Sequence, residues 1–229
     1  MILLSLSAVG YGAIRGLRNL WVTLALSLLL FAPLARAQTP AILALGDSLT
    51  AGYGLAEGEG LVPQLNAWLA AQGTDAVVLN GGVSGDTSAG GLSRLDWALT
   101  PEVKAMIVTL GGNDLLRGLP PASTRANIDA ILTQAKERGL PTLLISMKAP
   151  GNFGPDYKRD FDALYPDLAA QYGAIYLDNY LSPLADATGQ ALTPAYMQAD
   201  GIHPNAEGVK RIVERLGPSV QALLAEVAP

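Results

Sequence analysis

The sequence predicts an α/β domain in which helices cover both faces of a mostly parallel sheet. From residue 41 onward, short apolar runs alternate with longer amphipathic stretches, as strands and helices do in this fold class. The short runs are nearly continuous in Val, Ile, Leu and Ala, which is typical of strands buried on both faces. No internal repeat and no long linker interrupts residues 38–229, so these residues are predicted to form one domain.

The elements follow in order along the chain. The apolar runs predict strands at residues 41–45, 76–80, 105–110, 142–147 and 174–177. The amphipathic stretches predict helices at residues 62–72, 87–99, 123–138 and 157–172, with a last helix from Pro204 or Asn205 to about Val227. Gly73, Gly139 and Gly173 follow three of these helices, where a left-handed residue commonly ends a helix. Residues 148–156 and 179–200 are predicted loops, and functional groups are expected after strands, outside their carboxyl ends.

The composition limits the chemistry. Half of the residues are apolar and 15% are charged, which is typical of a folded globular protein. The chain has no cysteine and a single histidine, His203, so disulfides, a thiolate nucleophile, cysteine zinc sites and histidine-rich metal sites are excluded. A hydrolytic mechanism would therefore use an oxygen nucleophile, and we expect it to need neither a metal nor a cofactor.

The N-terminal segment has the pattern of a secretory signal peptide. Arg15 and Arg18 precede an uncharged, leucine-rich run over residues 19–35, and Ala35-Arg36-Ala37 is a small-x-small cleavage pattern before Gln38. We interpret residues 1–37 as a signal peptide and residues 38–229 as the mature domain. An uncleaved N-terminal anchor is the alternative, although the apolar run is short for a membrane span.

The charge predicts which partners the protein avoids. Removing residues 1–37 removes three arginines and no acidic residue, which changes the formal net charge from −5 to −8. Nucleic acids and anionic lipid surfaces both require clustered Lys and Arg, so neither is an expected partner. Export without cysteine is typical of a bacterial periplasm or the extracellular space. We expect a monomer with no stable membrane association after cleavage.

The segment after the first strand contains a candidate nucleophile. It is Gly46-Asp47-Ser48-Leu49-Thr50, which places Ser48 on a predicted strand-to-helix turn beside a helix N-terminus. Taken alone, Asp47 and Ser48 are equally typical of a simple helix cap.

The segments after the second and third strands contain candidate oxyanion donors. The glycine-rich stretch around Gly85 lets a substrate oxygen approach the backbone amide, and Asn113 follows two glycines with a side-chain amide that can donate. Each stretch has a simpler interpretation: Asp86 or Thr87 is a suitable N-cap after a glycine loop, and Gly-Gly-Asn-Asp is rich in turn formers.

Asp200 and His203 are the candidate acid and base. They lie three residues apart just before the last helix, with Pro204 suited to its first position. The carboxylate can reach one imidazole nitrogen and fix the tautomer while the other nitrogen faces a serine. An isolated surface histidine beside a helix cap is the alternative. The joint occurrence of a nucleophile, two oxyanion donors, an acid and a base at predicted strand ends favours a catalytic site.

These segments, in this order, resemble the four conserved blocks of the SGNH, or GDSL, hydrolase superfamily. The S, G, N and H of that name fall on Ser48, Gly85, Asn113 and His203, and Asp200 completes the triad. The resemblance extends from Ala41 to about Leu224. Within the superfamily, the blocks are similar to those of the periplasmic multifunctional thioesterase, arylesterase and lysophospholipase group.

The resemblance implies a fold and an activity. The fold is a flavodoxin-like three-layer α/β/α sandwich with five parallel strands in the order 2-1-3-4-5. The activity is hydrolysis of small-molecule acyl esters or thioesters through an acyl-serine, with the amides of Ser48 and Gly85 and the side chain of Asn113 forming the oxyanion hole. A mobile loop that shapes the acyl pocket in the group corresponds to residues 148–157, where Pro150, Gly151 and Phe153 are of suitable type.

Two further functions stay open, and membership of the α/β-hydrolase family is excluded. The same triad suits an acetylesterase that acts on acetylated cell-envelope or other carbohydrates. A binding or scaffold module on a catalytically inactive hydrolase fold is a possibility from another class. The α/β-hydrolase motif G-x-S-x-G is absent around both Ser48 and Ser84, because each lacks the second glycine.

Overall fold

Five strands form one parallel sheet with the order β2-β1-β3-β4-β5, as predicted. The computed structural model describes residues 39–189 and 191–227, and the predicted signal peptide lies outside them. In those two ranges, no helix is long and apolar enough to cross a membrane. The strands are β1 (Ala41–Gly46), β2 (Val77–Gly82), β3 (Val103–Thr109), β4 (Thr142–Ile145) and β5 (Ile175–Leu177).

Helices connect the strands and cover the sheet. They are α1 (Ser48–Ala51), α2 (Leu61–Ala71), α3 (Ser88–Ser93), α4 (Leu95–Ala98), α5 (Gly112–Leu116), α6 (Pro121–Glu137), α7 (Pro155–Tyr172) and α8 (Ala206–Ala225). Gly73, Gly139 and Gly173 have φ values of 70°, 65° and 67°, so the predicted left-handed helix ends are confirmed.

Side chains of each central strand alternate between two cores, one on each face of the sheet. On β1, Ile42 and Ala44 pack into the core beneath α2 and α8, whereas Leu43 and Leu45 pack into the core beneath α6 and α7. This alternation follows from the two-residue period of a strand. Because both faces are covered, β1 is buried along its whole length, and the predicted three-layer α/β/α sandwich is confirmed.

The strand register brings three loops to the same edge of the sheet. Gly46, the last residue of β1, is level with Gly82 at the end of β2 and with Thr109 at the end of β3. The segments that begin at Asp47, Val83 and Leu110 therefore leave the sheet side by side. The three strand-following motifs of the sequence meet for this reason.

The structure corrects three boundaries. The predicted helix at residues 87–99 is two short helices separated by Arg94. The first of them, α3, is rich in serine and glycine, which have weak helix propensity, and it ends before Arg94.

Pro204 is not the first residue of the last helix: it pairs with Met197 in an isolated bridge, and Asn205 is the N-cap. The loop at residues 148–156 contains a 3₁₀ turn over Gly151–Phe153, and α7 begins at Pro155. The sequence predicts a helix N-terminus at Ser48, where α1 begins, but it does not predict the short helix α5.

Candidate active site

Ser48 begins α1, directly after the end of β1. Asp47 is the N-cap, and its Oδ1 accepts a hydrogen bond from the Leu49 amide at 3.0 Å. Asp47 is thus a helix cap, as one interpretation of the sequence holds. The Ser48 hydroxyl takes no part in this cap and is available for another partner. As the first residue of the helix, Ser48 also has an amide without an intrahelical acceptor. Its side chain and its amide both lie at the carboxyl edge of the sheet.

His203 bridges Ser48 and Asp200. The Ser48 Oγ lies 2.8 Å from His203 Nε2, and Asp200 Oδ2 lies 2.6 Å from His203 Nδ1. The structure therefore brings together the three residues that the sequence predicts as nucleophile, base and acid, which are as many as 155 positions apart in the chain. An Nδ1–H donated to the carboxylate leaves the Nε2 lone pair facing the serine hydroxyl, which is the tautomer that a general base needs.

Asp200 is held as a carboxylate. Its Oδ1 accepts from the amides of Ile202 and His203 at 2.9 and 3.0 Å. The His203 amide, together with the imidazole and the Ile202 amide, lowers the pKa of Asp200 to about 2. Asp200 is consequently ionised near neutral pH.

The loop that carries His203 is fastened to the first motif by Gln198. The Gln198 Nε2 donates to the carbonyls of Tyr53 and Pro204 at 2.8 and 3.0 Å, and the Gln198 amide donates to the His203 carbonyl at 2.8 Å. The Tyr53 ring lies against the imidazole, with 4.8 Å between the centroids. Sequence reasoning assigned no role to Gln198 or Tyr53, because neither residue type marks a catalytic motif.

Two candidate oxyanion donors, Gly85 and Asn113, lie close together. Gly85 adopts φ +86° in a turn closed by a hydrogen bond from Asp86 to Val83, a conformation that favours glycine. The Asn113 Nδ2 donates to the Asp86 carbonyl at 2.9 Å and lies 3.4 Å from Asp47 Oδ2. The side-chain amide of Asn113 is thus held beside the turn that carries Gly85.

A buried carboxylate fixes α5, the helix that carries Asn113. Asp114 is 1% exposed and accepts from the Ser88 amide at 2.7 Å, from the Ser88 hydroxyl at 2.5 Å and from Thr124 Oγ1 at 3.2 Å. These bonds join α5 to the start of α3. The sequence contains a signal for this: Asp114 lies two residues after the glycine pair that follows a buried strand, and an acidic side chain needs donors if it is buried there.

Asp47 is a second buried carboxylate, 3% exposed, and it lies beside the candidate catalytic groups. Burial raises the pKa of Asp47 to about 6, although the Leu49 amide and the charge of His203 oppose the shift. Asp47 therefore changes its charge within the pH range in which the enzyme would work.

We expect Asp47→Asn to change how stability depends on pH. A raised pKa means that the folded state holds the Asp47 proton more tightly, so stability from this group is fully present below about pH 4 and lost as the pH rises through about 6. The shift corresponds to roughly 3 kcal/mol. Between pH 4 and pH 8, the free energy of unfolding of the wild type should fall by about that much more than that of the variant. Urea unfolding at a series of pH values measures both curves, and parallel curves would contradict the prediction.

A largely apolar cavity of about 520 Å³ opens onto these groups. Ser48, Gly85, Asn113 and His203 lie in its wall. The rest of the wall is mostly aliphatic and includes Leu49, Leu115, Leu116, Met147, Pro150, Leu181, Leu192 and Ile202. A cavity of this size and lining is typical of a site for a largely apolar small molecule.

The predicted substrate loop has one residue in the cavity wall. Pro150 lines the cavity, whereas Gly151 and Phe153 are not among its lining residues. The Phe153 ring packs over Gly118 and against Tyr157, with 5.0 Å between the two ring centroids. Phe153 is 44% exposed and does not line the cavity. Among the side chains described, no group of three His, Asp or Glu residues is arranged to hold a metal ion.

The chain is similar to several known proteins. The model of the GDSL-like lipase/acylhydrolase family matches residues 44–211, which include Ser48, Gly85, Asn113, Asp200 and His203. The chain is 38% identical to esterase TesA of Pseudomonas aeruginosa over 91% of this chain and all of that protein. It is 34% identical to thioesterase 1/protease 1/lysophospholipase L1 of Escherichia coli K12, over 82% of this chain and 86% of that protein.

A solved structure gives the same result. The crystal structure of AlinE4, an SGNH-hydrolase family esterase, is 43% identical, covers 82% of this chain and 97% of its own, and superposes with a TM-score of 0.67. The family match covers most of the chain, and the first relative is aligned along its whole length. The chain therefore belongs to the GDSL-like lipase/acylhydrolase family, within the SGNH hydrolases.

Proposed function

We propose that the protein is a serine esterase that hydrolyses carboxylic esters and thioesters through an acyl-serine intermediate. The observation that carries this proposal is the continuous hydrogen-bonded series from Ser48 through His203 to Asp200 at the wall of an apolar cavity. The relatives support the proposal, since they are named as an esterase and as a thioesterase and lysophospholipase.

In the first half of the reaction, the Ser48 oxygen attacks the acyl carbon while His203 Nε2 takes the hydroxyl proton. The carboxylate of Asp200 stabilises the imidazolium that forms. The proton then passes from Nε2 to the leaving alcohol or thiol, which departs and leaves the acyl group on Ser48. In the second half, water repeats the attack, and His203 again transfers the proton.

The tetrahedral oxyanion would be held by the amides of Ser48 and Gly85 and by the Asn113 side chain. The Asn113 Nδ2 carries two hydrogens, of which one points to the Asp86 carbonyl at 2.9 Å. The other faces Asp47 at 3.4 Å, which is long for a hydrogen bond and easily exchanged for a charged substrate oxygen.

We expect Asn113→Ala to lower kcat by about 100-fold to 1000-fold, because one donor to the oxyanion is lost. The part-buried bond to the Asp86 carbonyl is lost too, but the bonds of Asp114 that fix α5 remain, so the fold should be retained. Steady-state kinetics on a p-nitrophenyl ester, with circular dichroism as the check of folding, measure the effect. An unchanged kcat in a folded variant would remove Asn113 from the oxyanion hole.

The cavity favours an acyl chain longer than acetate as the substrate. An acetylesterase for carbohydrates, the second candidate, would need polar groups for the sugar, whereas this wall is mostly aliphatic. Measuring kcat/KM for p-nitrophenyl esters and matching thioesters with acyl chains of two to twelve carbons separates the two. Activity that disappears beyond acetate would favour the acetylesterase, and absence of stoichiometric labelling by a fluorophosphonate probe would favour an inactive binding module.

We also propose that residues 1–37 are a cleaved signal peptide and that the mature enzyme acts in the periplasm or outside the cell. The support is the sequence pattern of paired arginines, a leucine-rich run and Ala35-Arg36-Ala37. N-terminal sequencing of the exported protein tests the proposal, with Gln38 expected as the first residue. A protein that keeps Met1 would show that the segment is retained.

A further inference from the structure

The ion pair between Arg94 and Asp86 lies behind the candidate oxyanion hole. The Arg94 Nε is 2.6 Å from Asp86 Oδ2, and the side chains are only 19% and 18% exposed. A second nitrogen of the same guanidinium, Nη2, donates to the Gly46 carbonyl at 2.9 Å. Arg94 thus holds two different segments at once, from its position between α3 and α4.

Both of these segments carry a candidate oxyanion donor. Gly46 is two residues before Ser48, and Asp86 directly follows Gly85. The Gly46 carbonyl also accepts from the Val83 amide at 3.1 Å, where the turn that contains Gly85 begins. Arg94 therefore contacts the backbone just before Ser48, at Gly46, and the residue just after Gly85, Asp86. The distance between the Ser48 and Gly85 amides depends on these two contacts.

The third candidate donor, the Asn113 side chain, is hydrogen-bonded to a member of the same ion pair. The Asn113 Nδ2 donates to the Asp86 backbone carbonyl, while the Asp86 carboxylate is held by Arg94. Gly90 leaves room for this arrangement, because an added Cβ would lie 2.5 Å from Asp86 Oδ1. Each proposed oxyanion donor is therefore close to this ion pair. Ser48 is two residues from Gly46, which Arg94 contacts, Gly85 directly precedes Asp86, and Asn113 is hydrogen-bonded to Asp86.

We propose that Arg94 and Asp86 are positioning residues that set the geometry of the oxyanion hole. The inference rests on the proposed function, since it takes the three donors from that mechanism. A guanidinium suits this role better than an ammonium because its planar fork directs hydrogen bonds to two acceptors simultaneously. The partial burial of the pair strengthens both contacts relative to those of an exposed ion pair.

The experiment compares Arg94→Ala, Arg94→Lys and Asp86→Asn with a control, Arg125→Ala. The control breaks an ion pair with Asp167 that has 41% and 58% exposed side chains and lies outside the active-site cavity. We expect the Arg94 and Asp86 variants to lose about 10-fold to 100-fold in kcat, because a displacement of about 1 Å in a catalytic group costs that much. KM should stay within about twofold, since the effect falls on the transition state, and the control should match the wild type.

A merely structural role predicts a different pattern. If Arg94 acts through the oxyanion hole, combining Arg94→Ala with Asn113→Ala should lose less than the product of the two single effects, because both remove the same stabilisation. Added guanidinium ion should partly restore kcat in Arg94→Ala without raising its thermal stability to the wild-type level. Wild-type kcat in a folded Arg94→Ala, or strictly multiplicative losses, would overturn the proposal.

Two outcomes keep the test interpretable. If Arg94→Ala does not fold, Arg94→Lys and Asp86→Asn retain the bulk of the side chains, and wild-type kcat in both would overturn the positioning role. If Ser48→Ala keeps its activity, the proposed function fails instead. The positioning proposal fails separately when Ser48 is essential but Arg94 is not.

Discussion

Replacing Ser48 with alanine is expected to lower kcat by about 10⁵-fold to 10⁶-fold while leaving the fold unchanged. The hydroxyl is the only group within 2.8 Å of His203 Nε2 among the described residues, so without it the base has no nucleophile to activate. Losses of this size follow when the serine of a comparable triad is removed. The measurement is kcat on a p-nitrophenyl ester, together with labelling by a fluorophosphonate probe, which should disappear.

Ser84→Ala is the matched control for this experiment. Ser84 lies in the wall of the same cavity and directly precedes Gly85, but the hydrogen bond of His203 Nε2 is to Ser48 and not to Ser84. It should keep both its labelling and most of its activity. If Ser84→Ala lost its labelling and Ser48→Ala retained it, the assignment of the nucleophile would be reversed.

The sequence predicts the sheet and the meeting of the motifs for a simple physical reason. Strands buried on both faces leave continuous apolar runs, and the polar residues that follow such runs must lie at the carboxyl edge. Ser48, Gly85 and Asn113 could therefore be placed at one edge without coordinates. The strand order itself came from resemblance to a family, because periodicity does not say which strands are neighbours.

The supporting residues could not be predicted in the same way. Asp47, Asp86 and Asp114 each stand beside a motif residue, where an acidic side chain is also typical of a helix cap or a turn. Whether such a carboxylate is buried depends on groups far along the chain, as with the contact of Asp114 to Ser88, 26 positions away. Long-range contacts of this kind leave no periodic pattern in the sequence.

Asp200→Asn is the second change for which we expect a large effect, a loss of about 10³-fold to 10⁴-fold in kcat. In the wild type, Asp200 uses Oδ1 for the amides of Ile202 and His203 and Oδ2 for the imidazole. Asparagine has one oxygen only. If that oxygen keeps the two backbone amides, the NH₂ group faces His203 Nδ1, which must then be unprotonated.

This arrangement places the ring proton on the wrong nitrogen. With Nδ1 accepting from the asparagine, a neutral imidazole carries its hydrogen on Nε2 and cannot take the proton of the Ser48 hydroxyl. Asp200→Ala is the informative comparison, because it removes the carboxylate without imposing this tautomer. Asp200→Asn should therefore be less active than Asp200→Ala in steady-state assays at pH 8, although asparagine preserves more of the native contacts. The opposite order, in two variants with wild-type melting temperatures, would show that Asp200 acts through its charge alone and not by selecting the tautomer of His203.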